Sequence, residues 1–152
     1  MLRMLALVPV LAVYVASAAV AQGSPAHYRT GQVTYRQKEK EITLPLVPGG
    51  VFDVDSAHGR QGATLTFAPR GKPGAKPTFY LLFWTSGGRP FIAALEVRGG
   101  QGGNAYFDET ESQCTLTITR LDAQAAEGSG ACAGPFEGGG APIVSFTFAA
   151  KP

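Results

Sequence analysis

The chain has 152 residues, 45% hydrophobic and 16% charged, with 20 Gly, 11 Pro and 2 Cys. That length fits one domain, and two cysteines are too few for a disulfide-framework miniprotein. A formal net charge of +2 does not supply the concentrated basic face of a nucleic-acid binder, so no nucleic-acid partner is expected.

Residues 1–21 read MLRMLALVPVLAVYVASAAVA. A single positive charge at Arg3, an apolar middle from Met4 to Ala16 and a small-residue end follow the layout of a secretory signal peptide. Ala19-Val20-Ala21 is a small-x-small site and places cleavage before Gln22; Ala16-Ser17-Ala18 is the alternative. Pro9 and the short apolar run argue against a retained bilayer span. Removing 21 residues from 152 leaves a 131-residue domain, 22–152, in which the apolar share falls to 38%. No stable membrane span is expected after cleavage, and the destination is periplasmic or extracellular.

Helical periodicity is nearly absent from 22–152, because Gly and Pro recur too often for a helix of several turns. Short runs rich in Val, Ile, Thr, Phe and Tyr, bounded by Gly, Pro, Asp or Asn, predict strands instead. The first two are Gln32–Arg36 and Glu41–Leu46, joined by the polar connection Gln37–Lys40. Pro45 has no N–H to give a ladder, so the second run is expected at an edge. Gly50–Val54 is a short third run. Asp53, Asp55 and His58 follow within six residues, but their spacing fails the calcium-loop pattern, and a solvated turn is the expectation.

Ala63–Ala68 alternates, and Pro69–Pro77 is a Pro/Gly loop carrying Arg70, Lys72 and Lys76. Those three cations are candidate contacts for an anionic surface such as a lipid headgroup or polysaccharide. Thr78–Thr85 (TFYLLFWT) is continuously apolar and predicts a central strand buried on both faces. Its second face, with Tyr80, Leu82 and Trp84, would cover another sheet or line a ligand cavity. Gly87-Gly88 supplies a tight turn, because glycine tolerates positive φ. Phe91–Arg98, a second glycine turn at 99–103 and Asn104–Asp108 come next. Asp108, Glu109 and Glu111 form a further acidic cluster, also read as a solvated turn.

Cys114–Leu121 alternates cleanly, and Glu127–Ala133 is placed as its hairpin partner. With a turn at Asp122–Gln124, positions summing to 246 pair, so Cys114 falls opposite Cys132. Directly opposed residues are about 4.5–5.5 Å apart, within reach of a disulfide. An exported chain makes that bond the expectation. Gly138–Gly140 marks a turn, and Ile143–Ala149 is the closing strand.

The fold class is therefore all-β: an antiparallel β-sandwich or small β-barrel of about nine or ten short strands in sequential hairpins. No catalytic residue, metal ligand or cofactor is assigned. Gly128-Ser129-Gly130 lacks the nucleophile-elbow spacing, and the 99–103 glycines lack the Lys-Ser/Thr of a phosphate loop. The expected function is a non-catalytic binding or structural module for a protein, glycan or small ligand. Tyr80, Trp84, Arg70, Lys72 and Lys76 are the candidate contacts. The alternative is a carrier of a small apolar ligand in a barrel cavity, and a third reading is a small hydrolase with an acid pair that leaves no local motif. Residues 22–100 carry a net +5 and residues 101–152 a net −4, which would make a dipolar surface if the halves stay apart.

Overall fold

The computed structural model describes residues 25–71, 74–100, 103–108, 114–133, 141 and 143–152. The expected leader, Lys72, Glu109, Glu111 and the turn at Gly138–Gly140 lie outside them. Eleven strands are described. They are β1 (Ala26–Tyr28), β2 (Thr30–Gln37), β3 (Lys40–Pro45), β4 (Gly50–Asp55), β5 (Arg60–Phe67) and β6 (Thr78–Ser86), then β7 (Arg89–Gly100), β8 (Gly103–Asp108), β9 (Cys114–Asp122), β10 (Ala125–Cys132) and β11 (Ile143–Lys151).

They form two antiparallel sheets with open ends, β1-β4-β5-β6-β7-β8 and β3-β2-β11-β10-β9. The architecture is a β-sandwich; the barrel option is removed. Sequential hairpins describe only part of the path. The chain changes sheets after β1, after β3 and after β8, and β11 inserts between β2 and β10. The first change happens within Arg29-Thr30-Gly31. Gly31 has φ 151°, and a Cβ there would stand 2.1 Å from the Ala149 carbonyl oxygen. Only glycine lets β2 approach β11 this closely at that backbone angle.

Alternation along each strand sends one row inward. In β6 the inward row is Phe79, Leu81 and Phe83, all fully buried. From the facing sheet come Tyr35, Phe146 and Phe148. Ring centroids lie 5.1 Å apart for Tyr35–Phe79, 5.6 Å for Phe79–Phe146 and 5.4 Å for Phe83–Phe148. These rings cross the gap between the sheets and fill the space that a barrel carrier would need for its ligand. The second face of β6 is a correction to the sequence reading. Tyr80, Leu82 and Trp84 are only partly buried, because a two-layer sandwich leaves each sheet one outward side.

The β9–β10 hairpin joins Asp122 to Ala125 across a two-residue turn, not the expected three. Asp122 Oδ1 closes that turn by accepting the N–H groups of Gln124 (2.7 Å) and Ala125 (2.8 Å). The partners then step from Glu127↔Arg120 to Gly128↔Ile118, leaving Thr119 as the extra residue of a bulge. The bulge adds back the residue that the shorter turn removed. Cys132 consequently lies opposite Cys114, as expected, with Cα atoms 4.0 Å apart and the sulfurs bonded.

The two halves of opposite charge interleave. β2 and β3, from the basic half of the sequence, share a sheet with β9–β11, where Arg120 pairs with Asp122 and Lys151 with Glu127. The charge split along the sequence is not a split between layers.

Candidate functional site

The outer face of the six-stranded sheet is built by the residues of β5, β6 and β7 that alternate away from the core. Tyr80 sits between Thr66 and Glu96, Leu82 between Thr64 and Ala94, and Trp84 between Gly62 and Phe91. The file Tyr80-Leu82-Trp84 therefore runs down the middle of the face, with hydroxyls on one flank. Gly62 determines how Trp84 lies. A Cβ at Gly62 would fall 2.7 Å from both Cδ2 and Cε3 of the indole. The missing side chain lets the ring rest against the β5 backbone, an aromatic covering a strand glycine. Beside Tyr80, Glu96 accepts a hydrogen bond from Arg98. That contact raises the Arg98 guanidinium further above its ordinary value.

At one end of the same sheet, Asp55 and His58 meet, with Asp55 Oδ2 2.7 Å from His58 Nδ1. The hydrogen bond from His58 is the main force holding the Asp55 carboxyl below the usual carboxylate range. The His58 N–H also reaches the Asp55 carbonyl and Oδ1, each at 3.3 Å, so the pair closes the β4–β5 turn. Asp53 does not join it: its Oδ1 accepts the N–H of Val54 at 2.8 Å. Among the described residues no group of three or more His, Cys, Asp and Glu gathers as a metal site would require.

A third feature lies where β3 meets the other sheet. Leu46 bridges to Phe67, and a groove of about 420 Å³ opens there, lined by Leu46, Val47, Pro48, Ala68, Pro69 and Arg70 among others. Of the three loop cations, Arg70 lies at this groove. Lys76 lies elsewhere, its aliphatic stem packed over Gly99. The sequence reading named Arg70 but missed the groove, since its two walls are about twenty residues apart in the chain. It also missed Gln37, read as a loop residue. Gln37 is 1% exposed, and its Nε2 donates to the Ala141 carbonyl at 3.0 Å.

The Cys114–Cys132 bond fits an oxidising environment. No match to this chain is found among protein families, curated proteins or solved structures.

Proposed function

We propose that this domain is a non-catalytic binding module of the periplasm or cell exterior, and that it holds a glycan on the outer face of the six-stranded sheet. The observation that carries the reading is Trp84 laid against Gly62 in file with Tyr80. A pyranose ring has an apolar C–H face and a rim of hydroxyls. Amphipathic aromatics suit the first, and Thr64, Thr66 and the Glu96–Arg98 pair offer donors and acceptors to the second. The disulfide and the expected leader support export. The filled interior favours a surface site over a carrier cavity.

Trp84 is the only tryptophan in the chain, so its fluorescence reports on this face without labels. Titration with soluble β-glucan, chitin and peptidoglycan fragments should give a saturable change for at least one of them. Trp84→Ala and Tyr80→Ala should each weaken that binding about tenfold, the scale of an anchoring aromatic, while Tyr80→Phe retains most of it. A wild-type protein silent to the whole panel, or binding unaffected by both alanine variants, would overturn the glycan reading.

A further inference from the structure

We infer that the groove at the β3–β5 corner binds a single-chain amphiphilic anion, its acyl chain along the groove and its carboxylate on Arg70. This site is separate from the glycan face. Three backbone N–H donors of the groove are already committed. The N–H of Leu46 is given to the Gly31 carbonyl at 2.9 Å, that of Val47 to Thr66 at 2.8 Å and that of Ala68 to Pro45 at 3.1 Å. Pro48 and Pro69 have no N–H. A polar ligand body would find these donors taken or missing, and giving up water without replacement is costly. An apolar one would cover Val47, one of the two large hydrophobics that are exposed among the described residues, at 40%.

The head group is indicated by Arg70. It is exposed at the groove and makes no ion pair among the described residues. A neutral ligand would leave that cation unused, whereas a carboxylate matches the planar guanidinium fork. The volume of about 420 Å³ falls in the range of about 300–1,000 Å³ typical of small-molecule sites. It suits one chain of medium length. The concavity favours a free monomer over a bilayer, whose flat surface does not fill a groove.

Nitrogen-15-labelled protein titrated with dodecanoate, below its micelle concentration, tests this. Saturable shifts are expected at the amides of Val47, Ala68 and Arg70. Arg70→Ala should weaken dodecanoate about tenfold, the effect of one charge-assisted hydrogen bond, and leave dodecanol unchanged. Arg70→Glu should turn the preference to dodecylammonium. Val47→Asp should abolish both, and Trp84→Ala should alter neither. All three positions lie outside the buried core, and each variant's spectrum checks its fold. The inference is overturned if wild-type protein shows no saturable shift at the groove. It is also overturned if Arg70→Ala weakens dodecanoate and dodecanol equally, or if only anionic vesicles bind.

Discussion

Gly130→Ala isolates the fit between β10 and the core, because generic backbone reasoning and this structure give it opposite signs. In a compatible backbone, Gly→Ala stabilises by about 0.4–1 kcal/mol by restricting the unfolded chain. Here Gly130 lies opposite Phe146, and an added Cβ would stand 2.3 Å from Phe146 Cζ and 2.7 Å from the Thr115 carbonyl oxygen. Carbon atoms in good contact sit about 3.5–4.0 Å apart. The ring is 1% exposed, with centroids of Phe79 at 5.6 Å and Phe148 at 6.4 Å, so it has little room to swing away. Overpacking of this kind costs about 1–3 kcal/mol. After the backbone gain is subtracted, the variant should lose about 1–2 kcal/mol, lowering Tm by roughly 4–7 °C for a domain of this size. Urea unfolding of Gly130→Ala, Phe146→Leu and the double variant, followed by circular dichroism without reductant, measures both the loss and its cause. The double variant should be more stable than additivity predicts by about 1 kcal/mol. The Thr115 contact keeps the rescue partial. A Gly130→Ala protein as stable as wild type, or a strictly additive double variant, would refute the packing argument.

Replacing Cys114 and Cys132 by Ser releases a loop of sequence separation 18 and should cost about 3 kcal/mol. Reduced wild type should match the double variant in urea midpoint, and an unchanged midpoint would contradict the assignment. Two buried tyrosines should respond in opposite ways to loss of their hydroxyls. Tyr28 Oη donates to the Asp122 carbonyl at 2.6 Å, so Tyr28→Phe should cost about 1 kcal/mol, whereas Tyr35 Oη is buried with no hydrogen-bond partner among the described residues and Tyr35→Phe should range from neutral to about 1 kcal/mol stabilising. Equilibrium unfolding of the two variants checks the order. Burial pushes both phenols up from 10.0 to about 12, aided at Tyr28 by the Asp122 charge. Their contribution is therefore complete below pH 10 and is lost as pH rises through 12. Stability measured across that window should fall less steeply in a Tyr28→Phe, Tyr35→Phe protein, and equal slopes would count against the shifts.

Strand positions were readable because alternation and β-branched content are local signals. Ile143–Ala149 and Cys114–Leu121 announce themselves without knowledge of their neighbours. The aromatic face was readable for the same reason, since Tyr80, Leu82 and Trp84 are two residues apart in one run. Its orientation was not, because an apolar second row has the same pattern whether it meets another layer or water. The disulfide was legible through a register that two local departures happen to preserve. The turn is one residue shorter than expected, and Thr119 restores the count as a bulge, held by its hydroxyl on the Glu127 carbonyl at 3.1 Å. The groove was hidden because its walls meet only when Leu46 bridges to Phe67, a contact between sheets that no short window contains. The buried Gln37 was hidden for a related reason, as its polar type and neighbouring charges are those of a loop.

The insertion of β11 has a consequence for the order in which the molecule assembles. From β5 to β8 each strand hydrogen-bonds to the one before it, so that stretch can zip progressively. The other sheet cannot. Its two hairpins, β2–β3 and β9–β10, share no ladder of their own and are joined only through β11. Phe146 and Phe148, which meet Phe79 and Phe83 across the sandwich, arrive on that same strand. Contacts this distant in sequence are slow to form. A chain lacking β11 holds one meander and two separate hairpins, with two of the five rings that cross the sandwich, Phe146 and Phe148, missing. The five-stranded sheet closes only when β11 is in place, and that strand is its keystone.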